Sequence, residues 1–391
     1  MEVIKNRKLS PEIRFPYFNY EWKNSKLGAI CEMKAGKFIK ASEITQKYSS
    51  ILYPCYGGNG LRGFTKIYNH EGKYSLIGRQ GALCGNVKLV DGKFHATEHA
   101  LVVYLEQELN ADWVYYLLCT LNLNQYSTGQ AQPGLSVSNL NAIKVKLPIN
   151  IDEQQKIASF LSKVDEKITL LTKKKELLEE YKKGVTQKIF KQEIRFKDEN
   201  GNDFPKWEKR KLSQLLIESN KKSTISNQYE VLSSTAKGLF SQSEYFSRDI
   251  ASTNNAGYKI LKKNQLVFSP QNLWMGNINV NDKFEIGIVS PSYKIFDFNE
   301  KLTSSSYCKY FLVTPRMKFE YAQSSEQGAS IVRRNLDMVS FKAINFKLPL
   351  VSEQDKIANF LSLLDKKINA IEEQLSLAKE WKKGLLQKMF V

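Results

Sequence analysis

Histidine is almost missing: His70, His95 and His99 are all there is in 391 residues. No serine, histidine and acid arrangement stands out, and His95 and His99 in "HATEH" come without paired cysteines or a third ligand, so neither acyl transfer nor a metal site is expected. Cysteine is scarce too. Cys31, Cys55, Cys84, Cys119 and Cys308 are odd in number and scattered, which points to a reducing, cytoplasmic setting rather than a disulfide framework. No stretch approaches the run of about 18 apolar residues that spans a bilayer, and "MEVIKNRKLSPEIRF" lacks the apolar core and cleavage site of a secretory signal, so no membrane association is expected. A Gly-x-x-x-x-Gly-Lys-Ser/Thr loop is absent, which excludes P-loop ATP hydrolysis in this chain. "GLRGF" and "GRQGALCG" have the spacing of turn glycines rather than of a dinucleotide fingerprint. "FSPQNLW" (268–274) does not fit the Asn/Asp-Pro-Pro-aromatic pattern that holds a flipped adenine. No catalytic residue and no metal ligand is assigned, and the chain reads as a binder.

What the sequence has in excess is positive charge, +18 net. Residues 1–151 carry 18 basic against 11 acidic side chains, residues 207–351 carry 20 against 12, and the segments between and after are close to neutral. Two basic bodies separated by nearly neutral stretches form the footprint expected when each body meets a polyanion.

The nearly neutral stretches are a repeat. "EQQKIASFLSKVDEKI" begins at Glu153 and "EQDKIANFLSLLDKKI" at Glu353, and over 153–190 and 353–390 the two copies share 19 of 38 residues. Each follows a "KLP" (146–148 and 347–349), and "EIRF" occurs at 12–15 and 193–196, each time ahead of "FP" and a tryptophan, Trp22 or Trp207. The chain is therefore a doubled unit of entry segment, globular body and long helix. Helix starts are signalled by Pro148 and Pro349, with Asp152 and Ser352 where N-caps belong.

Apolar residues in steps of four and three, Ile157, Leu161, Val164, Ile168 and Leu171 against Ile357, Leu361, Leu364, Ile368 and Ile371, form a heptad seam. One stripe of this kind needs a covering helix: the two copies pairing antiparallel within the chain supply it, with a coiled coil between two molecules as the structural rival. At ~1.5 Å per residue each helix spans roughly 57 Å. The organisation read from sequence is an N-terminal segment (1–21), a first body (22–150), a first long helix (151–190), a linker (191–206), a second body (207–350) and a second long helix (351–391), in the α+β class with both bodies mixed α and β.

In the first body "YPCYGGNGLRGF" (53–64) and "YSLIGRQGALCGNVKLV" (74–90) read as strands and hairpins, and "ADWVYYLLCTLN" (111–122) as an amphipathic helix. The matching parts of the second are "NQLVFSPQNLWMGNINV" (264–280), "SYCKYFLVTPRMKFEYAQ" (306–323) and "INFKLP" (344–349). Arginine reads guanine, and asparagine or glutamine reads adenine, through paired hydrogen bonds in the major groove. The candidates in the first body are Asn59, Arg62, Arg79, Gln80 and Asn86 in glycine turns, with Gln125, Gln130, Gln132, Ser136 and Asn139 in a second loop. In the second body they are Gln271, Asn272, Trp274 and Asn277, with Ser330, Arg333, Arg334 and Asn335.

Two differing bodies, each followed by an "LP…EQ.KIA.FL…D.KI" helix ending in "KKG..QK.F", resemble the specificity subunit of type I restriction-modification enzymes, and the likeness covers essentially the whole chain. "YGGNGLRGF", "LIGRQGALCGNV" and "ATEHALV" look like one recurrent target recognition domain of that family; the second body departs from it. The resemblance implies a non-catalytic reader of double-stranded DNA, each domain contacting one half of a bipartite, asymmetric site and the antiparallel helices setting the spacer. It implies two modification subunits that bind S-adenosylmethionine and methylate adenine, and two restriction subunits that use ATP and Mg2+, with no cofactor in this chain. The exposed helix faces, among them Lys163, Glu166, Lys173 and Lys174, would dock the modification subunits.

Overall fold

The structure is a computed structural model that describes residues 10–81, 83–106, 108–129, 133–245, 254–327 and 333–391. Contacts divide the chain into two compact units, Met1–Lys174 with Ile371–Val391, and Lys175–Ala370. The first long helix runs Ile151–Phe190 and the second Val351–Met389, and each gives its N-terminal half to one unit and its C-terminal half to the other. Both begin two residues earlier than N-caps at Asp152 and Ser352 would set them. In the first helix Asn150 does the capping, its Oδ1 accepting the Asp152 amide at 2.7 Å, while Asp152 and Glu153 sit in the first turn against the positive end of the helix dipole.

The first unit closes its body by pairing Lys23–Lys26 antiparallel with Lys144–Leu147. Its main sheet is antiparallel, in the order Cys31–Ala35, Ala100–Leu105, Tyr74–Gly78, Val87–Val90. A second sheet, in the order Gly60–Thr65, Tyr53–Gly57, Lys93–Ala96, His70–Glu71, contains one parallel pair, Tyr53–Gly57 with Lys93–Ala96. His95 is buried on that strand, where Nε2 donates to the Lys37 carbonyl at 3.0 Å.

The second unit repeats the closure, Glu208–Lys211 with Asn345–Leu348. It also repeats the main sheet, in the order Leu216–Ser219, Lys294–Phe298, Leu266–Phe268, Ile278–Val280. Beyond that the bodies differ: the first carries its second four-stranded sheet, and the second carries two-stranded ladders such as Leu232–Thr235 with Gly238–Ser241. The duplication that the sequence displays in the helices thus extends to the sheet that carries each body. The element read at 306–323 is two helices, Ser305–Phe311 and Pro315–Gln323. Pro315 has no N–H to continue the first, and the Thr314 side chain accepts from the Met317 amide to start the second.

The apolar stripe of each long helix is buried on more than one side. In the first unit Ile157, Leu161 and Val164 pack with Trp22, Trp113 and Leu117 of the body and with Leu385, Met389 and Phe390 from the end of the second long helix. In the second unit Ile357, Leu361 and Leu364 pack with Trp207, Phe311 and Phe341 and with Val185 and Ile189. Ile368 and Ile371 are buried, Ile168 and Leu171 only partly. The helices run antiparallel in each unit, since the start of each shares a core with the end of the other, Ile157 with Leu385 and Met389 in the first and Ile357 with Val185 and Ile189 in the second.

Polar residues of the repeat tie each body to its helix in the same way twice. Arg14 Nε and Nη2 donate to the two Glu153 oxygens at 2.6 and 2.8 Å, and Trp22 Nε1 donates at 3.2 Å. Arg195 does the same to Glu353 at 3.0 and 2.7 Å, with Trp207 Nε1 at 3.0 Å. This is what the doubled "EIRF" and tryptophan build. Next along, Gln154 Oε1 accepts the Asn110 amide at 3.1 Å and Gln354 Oε1 the Ser304 amide at 3.1 Å, and Asn110 and Ser304 are the N-caps of Ala111–Thr120 and Ser305–Phe311. Further along those two body helices, Tyr116 donates its hydroxyl to Asp165 and Tyr310 to Asp365, both at 2.8 Å. Asp165 also meets Lys382 at 2.6 Å, Asp365 meets Lys182, and each lysine lies 5.5 Å from the centre of the tyrosine ring.

Candidate nucleic-acid interface

In the first unit the glycine turns bring the predicted residues together. A Cβ at Gly78 would stand 2.1 Å from the Gly58 carbonyl oxygen, so the turn at 57–60 and the turn after Tyr74–Gly78 touch backbone to backbone. Only glycine permits that approach. Asn59, Arg62, Gln80 and His99 line a hollow of about 450 Å³, and Asn59, Asn86 and Lys88 line an adjoining one of about 210 Å³. The Arg79 amide donates to the His99 carbonyl and its own carbonyl accepts the Leu135 amide, both at 2.9 Å, while the Gly81 amide donates to Pro133 at 3.0 Å. Those bonds staple the second predicted loop to the first.

Asn59, Arg62, Gln80 and Asn86 are exposed and Arg79 is half-buried. His99 Nδ1 lies 2.9 Å from Gln80 Oε1 and so orients that amide. Burial pushes the Cys55 thiol up, against the pull of the Arg62 guanidinium, which leaves a neutral thiol rather than a nucleophile. Ser136 accepts the Asn139 amide at 3.1 Å as the N-cap of Val137–Asn141, and Asn139 itself is exposed. Gln125 donates to the Leu121 carbonyl at 2.9 Å. Gln130 and Gln132 lie outside the described residues.

In the second unit the equivalent hairpin, Leu266–Phe268 with Ile278–Val280, encloses Gln271, Asn272, Trp274 and Asn277. The Arg334 amide donates to the Gln271 carbonyl at 3.1 Å and its guanidinium lies 4.5 Å from the Trp274 ring centre, so again the two predicted segments meet. Gln271, Arg333 and Asn335 are exposed. Asn277 is buried and accepts the Ser234 hydroxyl at 2.7 Å, a place inside the body rather than on its surface. Asn272 Oδ1 is buried and without a hydrogen-bond partner among the described residues. Ser330 lies outside them.

Sequence reasoning passed over Lys88, His99 and Lys318. Lys88 was legible, since it alternates with Asn86 and so faces the same way along the strand. Lys318 was not: its stem packs over Gly276, where a Cβ would stand 2.5 Å from Lys318 Cε, and no local pattern announces that contact.

A family model described as the type I restriction modification DNA specificity domain matches residues 19–180 and, a second time, residues 205–378. The chain belongs to that family. Each copy of the specificity domain takes in one candidate surface and most of the long helix that follows it. Among curated relatives, the EcoprrI specificity subunit of Escherichia coli is 49% identical over 146 residues, 37% of this chain and 36% of the relative. The MjaX specificity subunit of Methanocaldococcus jannaschii, which carries the label putative, is 23% identical over 322 residues, 77% of this chain and 73% of the relative. The matches to the first two curated relatives span little more than a third of their length, 36% and 37%. The fold is that of a solved S subunit of the type I restriction-modification system of M. genitalium, with a TM-score of 0.65 at 18% identity over 98% of this chain and 99% of that one.

Proposed function

We propose that this chain is the DNA-reading subunit of a type I restriction-modification complex and catalyses nothing by itself. Each body reads one half of a bipartite, asymmetric site in double-stranded DNA, and the helix pair sets the gap between the halves. The exposed helix faces, Lys163, Glu166, Lys173 and Lys174 among them, dock two modification subunits, which bring S-adenosylmethionine and methylate adenine. Two restriction subunits using ATP and Mg2+ complete the assembly, in the cytoplasm. One observation carries the reading: the same hairpin of the same sheet, once in each unit, gathers arginine and amide side chains with a stapled second loop. That is one reading surface per domain, in a chain that carries the domain twice. Lysines and arginines around each surface supply salt-sensitive phosphate affinity, and a few base-edge contacts supply specificity.

The test is half-specific damage. Arg62→Ala with Gln80→Ala should relax one half of the selected motif, and Trp274→Ala with Arg334→Ala the other, by about 1–3 kcal/mol at each affected base pair. Sequencing of duplexes selected from a randomised pool reads this. A pair of substitutions that alters both halves, or neither, contradicts the assignment of one surface to each half.

A further inference from the structure

Besides its apolar packing, each body is fastened to its long helix by polar contacts at two places. The first is the helix start, where Glu153 or Glu353 binds arginine and tryptophan and Gln154 or Gln354 binds the N-cap of the body helix. The second lies 12 residues on, at Asp165 or Asp365, about 18 Å away at ~1.5 Å per residue. There three chain segments meet: a tyrosine of the body, the aspartate of one long helix and a lysine of the other, Tyr116–Asp165–Lys382 in the first unit and Tyr310–Asp365–Lys182 in the second.

The aspartates and the lysines of the two junctions match at the repeat offset of 200, and the tyrosines come from corresponding body helices. The apolar contacts beside them are close-packed but have no direction of their own. The charged junction is directional, since moving the helix or the body breaks a bond that a neighbouring methyl group cannot replace. Without the junction the directional bonds of a body lie at the helix start alone, and its angle rests on the apolar packing. Over the roughly 18 Å between the two fastenings, a rotation of about 10° displaces the body by about 3 Å, close to the rise of one base pair.

We propose that the paired Tyr–Asp–Lys junctions are positioning devices that fix the angle of each body on the helix pair and so determine how strictly the gap between half-sites is enforced. This rests on the bipartite reading given above. Tyr116, Tyr310, Lys182 and Lys382 touch no DNA in this scheme; they act through the bodies they hold.

The experiment selects duplexes from a pool in which two half-sites are separated by gaps of varying length, using the full chain. Lys382→Met should lower discrimination against a gap wrong by one base pair about ten-fold, the scale of one lost hydrogen bond to a charged group. Tyr116→Phe and Tyr310→Phe keep the ring under the lysine and lose only the hydroxyl, so they should relax it about three-fold each. The bases preferred within each half stay unchanged in all three. Lys383→Met, which removes the same charge one residue away, should keep the gap preference of the unaltered chain.

If Lys382→Met does not fold, the two tyrosine variants decide. Folded variants with lowered thermal stability but unaltered gap discrimination make the junctions merely structural and overturn the proposal, as does any variant that changes the half-site bases. An unaltered chain that selects one uninterrupted motif fails the bipartite reading instead, and that outcome is visible before any variant is made.

Discussion

Glu353→Ala is expected to destabilise the second unit by about 3–5 kcal/mol, as much as truncating a core leucine such as Leu361. The carboxylate has no exposed side-chain surface and holds Arg195 through both oxygens while accepting from the buried Trp207 indole. Among the described residues, removing it leaves the guanidinium bound to the Pro205 carbonyl and the indole N–H without an acceptor. Orphaned groups of this kind cost more than the pair was worth while intact. The substitution also frees the linker, because Arg195 stands within it and Trp207 directly after it. Glu153→Ala should act alike on the first unit through Arg14 and Trp22. Chemical denaturation followed by tryptophan fluorescence measures both, and a loss below about 1 kcal/mol contradicts the view that these carboxylates anchor the bodies.

Adding one heptad to both long helices at once, near residues 173 and 373, is expected to widen the gap of the recognised site and leave its halves alone. Seven residues preserve the 3.5-residue seam, so the helices can still pair. At ~1.5 Å per residue they add about 10 Å, close to three base pairs. The bound site should therefore gain about three base pairs of spacer. Affinity should fall as well, since three base pairs rotate the duplex by nearly a third of its turn of about 10 base pairs. Lengthening one helix alone breaks the match between Asp165 with Lys382 and Asp365 with Lys182, and should cost folding rather than alter the gap. An altered half-site sequence with the original gap contradicts the role given to the helices.

Much of this architecture is visible in the chain before any coordinates. The doubled helix, its antiparallel pairing and the two mixed bodies follow from a repeat and a heptad pattern, because periodicity reports which face is buried. It does not report what buries it: Ile157, Leu161 and Val164 lie against the body as well as against the second helix. Glu153, Gln154, Asp165 and Lys182, identical in both copies, carry the attachments, yet a carboxylate near a helix start looks the same in sequence whether it faces water or an arginine. The glycine turns pointed to the candidate surfaces because close backbone approach needs glycine. Asn277 shows the limit of residue type as a guide, since the same amide that reads adenine also satisfies a buried serine. The break at Pro315 could have been read from the rule for the residue before proline.

The most direct test of the central claim is selection of the full chain, in its native complex, on fully randomised duplex DNA. The account predicts a motif of two specific blocks, unlike in sequence, separated by a fixed length of unselected base pairs. A single uninterrupted motif, or binding without sequence preference, contradicts it.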